Sequence, residues 1–91
     1  VPFAPHCVVS PIGTMASAHC CAAVPNFLAL EWHWIKDLDV WRDFVQEGEI
    51  IHDGFITLPD KPGFGVTMNE DAAKARRVPG TPWFEAWPES G

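Results

Sequence analysis

Formal charge is absent from the first 30 residues: all 12 acidic and all 6 basic side chains of this 91-residue chain lie from Glu31 onward. A domain of this size leaves roughly 40% of its unfolded-chain surface exposed, so it cannot hide an uncharged third of its length behind the remainder. The expectation is a piece of a longer protein whose other parts cover residues 1–31. Long apolar runs are missing as well. Pro2, Pro5, Pro11 and Pro25, together with His6 and His19, interrupt the uncharged region. That leaves no stretch of about 18 apolar residues for a membrane span and no basic segment ahead of one for a signal peptide.

Cysteine is scarce. Cys7, Cys20 and Cys21 are an odd set, two of them adjacent, with no Cys-x-x-Cys pair. This excludes a disulfide framework and argues against zinc, because neighbouring side chains on a helix point about 100° apart. The three read as small buried hydrophobes in a reducing, cytoplasmic protein. A basic patch is also lacking: the net charge is −6, all of it from the second part of the chain. Nucleic acid and anionic membrane are therefore not expected as partners.

What is present is ordinary for a folded protein, with 47% hydrophobic and 20% charged residues. Val1 to Ala4 reads as the tail of a buried strand, followed by a loop from Pro5 to Val9. Ser10-Pro11 is a helix start, because serine caps orphan N–H groups and proline fits the first turn. The helix is predicted to run to Ala23, with Val24-Pro25 ending it. Phe27 to Glu31 is a continuous apolar run of strand length, the form of a strand buried on both faces. Strand, helix and strand in this order make one crossover unit of a parallel sheet. Further on, Asp39 to Gln46 is predicted as a short amphipathic helix. Glu49 to His52 and Phe55 to Leu58 are predicted as two short strands about an Asp53-Gly54 turn. Pro59 to Gly65 is a loop, Asn69 caps a last helix from Glu70 to Arg77, and the tail from Val78 to Gly91 is extended.

His6 follows one strand end and Glu31 closes the next strand, 25 positions later. Parallel sheets gather functional side chains at the C-terminal ends of their strands, so an imidazole and a carboxylate at one rim suit acid–base chemistry. Spacing alone equally allows a structural loop histidine and a glutamate paired with a lysine elsewhere. Trp32, His33 and Trp34 follow that glutamate and are candidates to line a substrate pocket, with packing as the plainer explanation. Asp60 fits a turn former better than a catalyst.

A family likeness rests on Pro5-His6, Ser10-Pro11-Ile12-Gly13, Ala16-Ser17-Ala18-His19, Ala22-Ala23, Pro25-Asn26-Phe27, Leu30-Glu31, Pro59-Asp60-Lys61-Pro62-Gly63-Phe64-Gly65 and Asn69-Glu70. In order and spacing these resemble the C-terminal end of the mandelate racemase and muconate lactonizing enzyme family of the enolase superfamily. The likeness is greatest to acid-sugar dehydratases of the galactonate and gluconate type. It implies an α/β fold: residues 1–48 as the end of a (β/α)8 barrel, with the end of strand seven, its helix and strand eight. Residues 49–77 would return to a capping domain, and residues 78–91 would form the tail.

The resemblance also implies that His6 is a general base and that Glu31 hydrogen-bonds the substrate carboxylate, with Trp32 and His33 as substrate-binding candidates. The cofactor implied is Mg2+, whose ligands are expected upstream of this chain, so the isolated chain is expected to be inactive. The implied partner is an acid sugar, and the parent protein a homo-oligomer. A racemase or epimerase would use the same two residues. A noncatalytic domain presenting its tryptophans as a binding face is the alternative of a different class.

Overall fold

The computed structural model describes residues 1–32 and 38–83, which contain three helices and three isolated β-bridges. Helix α1 spans Pro11–Ala22 and begins as its sequence dictates: Ser10 Oγ accepts the Gly13 amide at 3.2 Å, and Pro11 occupies the first turn. It stops at Ala23, ahead of Val24-Pro25. Thr14, Met15, Ala18 and Cys21 fall on one face at helical spacing, and all four are buried. Gly13 lies hard against the preceding loop, since a Cβ there would sit 2.8 Å from Val9 Cγ2.

Helix α2 spans only Asp39–Arg42, shorter than the predicted 39–46. A long-range pairing takes over from the local propensity. Gln46 N–H donates to Thr67 O at 2.9 Å and Asn69 N–H donates to Phe44 O at 2.8 Å, which draws residues 44–46 into an antiparallel bridge between Val45 and Met68. Helix α3 spans Glu70–Ala75, capped by Asn69 Oδ1 on the Ala72 amide at 3.2 Å. It ends two residues before the predicted Arg77, in a tightened turn in which Arg76 N–H and Arg77 N–H bond carbonyls three residues back.

Between α2 and α3, Asp53 and Gly54 both have positive φ, 51° and 80°, the signature of a type I′ hairpin turn. His52 and Phe55 exchange two backbone bonds of 2.8 Å across it. The two flanking strands predicted there reduce to this single bridge.

The core joins these parts. Met15 of α1 packs with Trp41, Val45 and Ile50, and Ile51, Ile56, Leu58 and Val66 close around them. The segments on either side of position 48 are thus packed together on α1.

Phe27–Glu31, predicted as a strand buried on both faces within a larger protein, forms one parallel bridge here, between Phe3 and Phe27, and in this chain by itself Phe27 is 44% exposed and Leu28 67%. The flanking strands needed to cover such a run are not supplied by these residues. Among the described residues no helix is long and apolar enough to cross a membrane.

Candidate active site

The site is built on the two parallel segments. Phe3 N–H donates to Asn26 O and Leu28 N–H donates to Phe3 O, both at 2.8 Å, the regular pattern of a parallel ladder. The next rung would need a donor at position 5. Pro5 has none, and the ladder slips by one residue: its carbonyl accepts from the Glu31 amide at 3.0 Å, not from Leu30. The slip sets Glu31, in place of Leu30, opposite His6. At the other end of the pair, Asn26 donates from Nδ2 to Val1 O at 2.8 Å.

The consequence is direct contact. His6 Nδ1 lies 2.9 Å from Glu31 Oε1, with side chains 73% and 53% exposed respectively. An ionised carboxylate only accepts, and so does the carbonyl oxygen of a neutral one. When Oε1 is the acceptor, Nδ1–H is the donor, and in the neutral ring the Nε2 lone pair is then open to take a proton. The two residues selected from the sequence thus stand together, within hydrogen-bonding distance.

The other candidates are placed differently. Trp32 is half-buried, edge-on to Trp41 with ring centroids 5.1 Å apart. It lines an apolar groove of about 360 Å3 with Phe27, Leu28, Leu30, Phe55 and Ile56, which neither His6 nor Glu31 lines. His33 and Trp34 lie outside the described residues. Asp60 is exposed in the loop before Gly65. His19 turns to that loop too, its Nε2 2.9 Å from Phe64 O, where the ring nitrogen donates to the carbonyl.

Cys7 is buried, with its Sγ 3.8 Å from Thr14 Oγ1. The Cys21 thiol is pushed up by burial, then by its neighbours Cys20 and Cys7. Among the described residues no three His, Cys, Asp or Glu side chains are grouped to hold a metal ion.

Trp41 was not singled out from the sequence. Its indole Nε1–H donates to Val9 O at 2.8 Å, a bond across 32 positions that no local pattern announces.

Known proteins resemble this chain along most of its length. The family described as enolase C-terminal domain-like matches residues 1–72. D-xylonate dehydratase of Haloferax volcanii is 48% identical over 85 residues, which is 93% of this chain and 20% of that protein. D-galactonate dehydratase of Xanthomonas campestris is 38% identical over 80 residues, covering 81% of this chain and 21% of that protein. The crystal structure of a mandelate racemase/muconate lactonizing enzyme-like protein from Rubrobacter xylanophilus superposes with a TM-score of 0.81 at 50% identity, over 93% of this chain and 22% of the other. The chain spans about a fifth of the length of the curated relatives it matches.

Proposed function

Since the chain belongs to the enolase C-terminal domain-like family, we propose that it forms the C-terminal part of an acid-sugar dehydratase, with His6 as the base and Glu31 as the hydrogen-bonding partner of the substrate carboxylate. The observation that carries this reading is the His6–Glu31 contact at 2.9 Å, reached through the register slip at Pro5. The names of the xylonate and galactonate dehydratases support the substrate class.

The chemistry starts from a carbon acid. A proton beside a carboxylate is very weakly acidic, and its removal leaves an enediolate with two negative oxygens that must be stabilised where they form. His6 Nε2 takes the proton while Nδ1–H stays on Glu31. With Glu31 as the neutral acid, Oε1 keeps accepting from His6 and the second oxygen donates its proton in a hydrogen bond to the substrate oxyanion. Breaking the neighbouring C–O bond then forms the C=C bond of an enol, the departing hydroxide leaves as water by taking up the proton that His6 Nε2 had removed, and the enol tautomerises to a keto acid. In the superfamily a magnesium ion supplies further charge neutralisation. The described residues do not fit a magnesium site by themselves, so its ligands are assigned to other parts of the enzyme and no step here is derived through it.

The test is deuterium exchange at the carbon beside the carboxylate, on a panel of acid sugars, in the full-length enzyme. His6→Asn is expected to abolish exchange. Glu31→Gln, which still accepts on one atom and donates from the other, is expected to be mild, and Glu31→Ala to cost about 10²-fold to 10³-fold in turnover. Exchange by His6→Asn at the parental rate rejects His6 as the base. Exchange without loss of water would assign a racemase or epimerase instead.

A further inference from the structure

Trp41 connects the two arms of the site. Its indole N–H holds the carbonyl of Val9, three residues beyond His6, at 2.8 Å. Its ring meets Trp32, the residue directly after Glu31, edge-on at 5.1 Å and 61°. Val9 is held from the other side too, because its side chain fills the space over Gly13 where a Cβ would lie only 2.8 Å away. Trp41 itself is 4% exposed and sits in the core with Met15, Val45 and Ile50. One rigid, buried ring thus fixes the loop that carries His6 and the chain position that follows Glu31.

We propose that Trp41 is a positioning residue for the His6–Glu31 pair, holding the His6 loop through the Val9 carbonyl and the Glu31 arm through Trp32. Its functional consequence rests on the reading of His6 as the base. His6 and Glu31 are both exposed side chains joined by one contact, so their spacing is set by the backbones beneath them. The bond between the Glu31 amide and Pro5 O, 3.0 Å long, is the nearest rung of that backbone, and Trp41 braces it from both sides. A core tryptophan with a plain packing role would need its ring volume but not this particular acceptor.

The experiment separates the ring from its N–H. Trp41→Phe keeps an aromatic against Trp32 and deletes the donor. Replacing Trp41 with benzothienylalanine keeps both the volume and the bicyclic shape, with sulfur where the N–H was. Both are made in the full-length enzyme and measured by thermal melting, by kcat and KM for exchange of the substrate proton, and by hydrogen exchange of the Glu31 amide.

In the sulfur variant, turnover is expected to fall about 10-fold to 100-fold with KM nearly unchanged, the signature of misplaced reacting groups. The Glu31 amide is expected to exchange about 10-fold faster as its rung loosens. Parental turnover with parental amide protection in the sulfur variant overturns the proposal. So does loss of cooperative folding in that variant, which would make the bond one of global stability. If Trp41→Phe fails to fold, the sulfur variant decides alone. His6→Asn, assayed alongside, keeps the two readings apart: retained exchange there rejects the base, while the amide protection still judges Trp41.

Discussion

Glu47 shows how one exposed side chain ties distant segments. Its carboxylate takes the Thr67 amide at 2.9 Å and 3.2 Å through its two oxygens. That backbone hydrogen bond is the main reason its carboxyl is held below the usual carboxylate range, with Lys61 adding to it. A carboxyl whose affinity for protons is lower in the folded state stabilises that state above its unfolded value of about 4.3 and loses the contribution as pH falls through the folded one. Protection of the Thr67 amide, its exchange measured against the rate of an unstructured amide at the same pH, is therefore expected to fall as pH drops below about 4.3. Glu47→Gln is expected to remove that acid-dependent step, and a step that persists in the variant would assign it to another group.

At the scale of elements, the ladder and the loop before Val66 each depend on one residue. Pro5→Ala restores a donor and lets the Phe3–Phe27 register continue, which would set Leu30 opposite His6. Protection is then expected to move from the Glu31 amide to that of Leu30, with proton exchange of substrate falling about 10-fold. Unchanged protection at Glu31 would show that the slip is held by something other than the missing donor. Gly65 has φ +80° and its hypothetical Cβ would meet Pro59 Cγ at 2.3 Å. Gly65→Ala combines left-handed strain with overlap against a stiff ring and is expected to destabilise the full-length protein by about 2–4 kcal/mol, readable as a lower denaturation midpoint. Gly63→Ala, also at positive φ but with open space around it, is the control and should cost only the conformational part, about 1 kcal/mol.

For the molecule as a whole, the uncovered apolar edge dominates. Val1, Phe3, Phe27 and Leu28 are exposed along the paired segments, and a strand edge of this kind recruits other chains. The 91-residue chain produced alone is expected to associate, with a sedimentation-average mass that rises with concentration. A clean monomer with one cooperative thermal transition would reject that expectation. The same edge, joined to the remaining four-fifths of a relative's length, is expected to be covered. Full-length protein should then show Phe27 and Leu28 protected from solvent labelling.

The sequence by itself determined what acts over a few residues. Ser10-Pro11 starts α1, Asn69 caps α3 and Asp53-Gly54 turns the hairpin, because a capping hydrogen bond or a positive φ is satisfied within one turn of chain. It also showed the family, through the order of Pro5-His6, Pro25-Asn26-Phe27 and Leu30-Glu31, and it pointed to the two residues proposed for the site, which the structure brings within 2.9 Å. The tertiary structure alone decided the rest. The one-residue slip that sets Glu31 against His6 depends on which carbonyls and amides meet across two segments. α2 stops at Arg42 because residues 44–46 pair with 67–69, more than 20 positions away. Trp41 reaches Val9 only once α1 and α2 have packed on a shared core. These are contacts between groups far apart in the chain, and their energies exist only after the loops between them have closed.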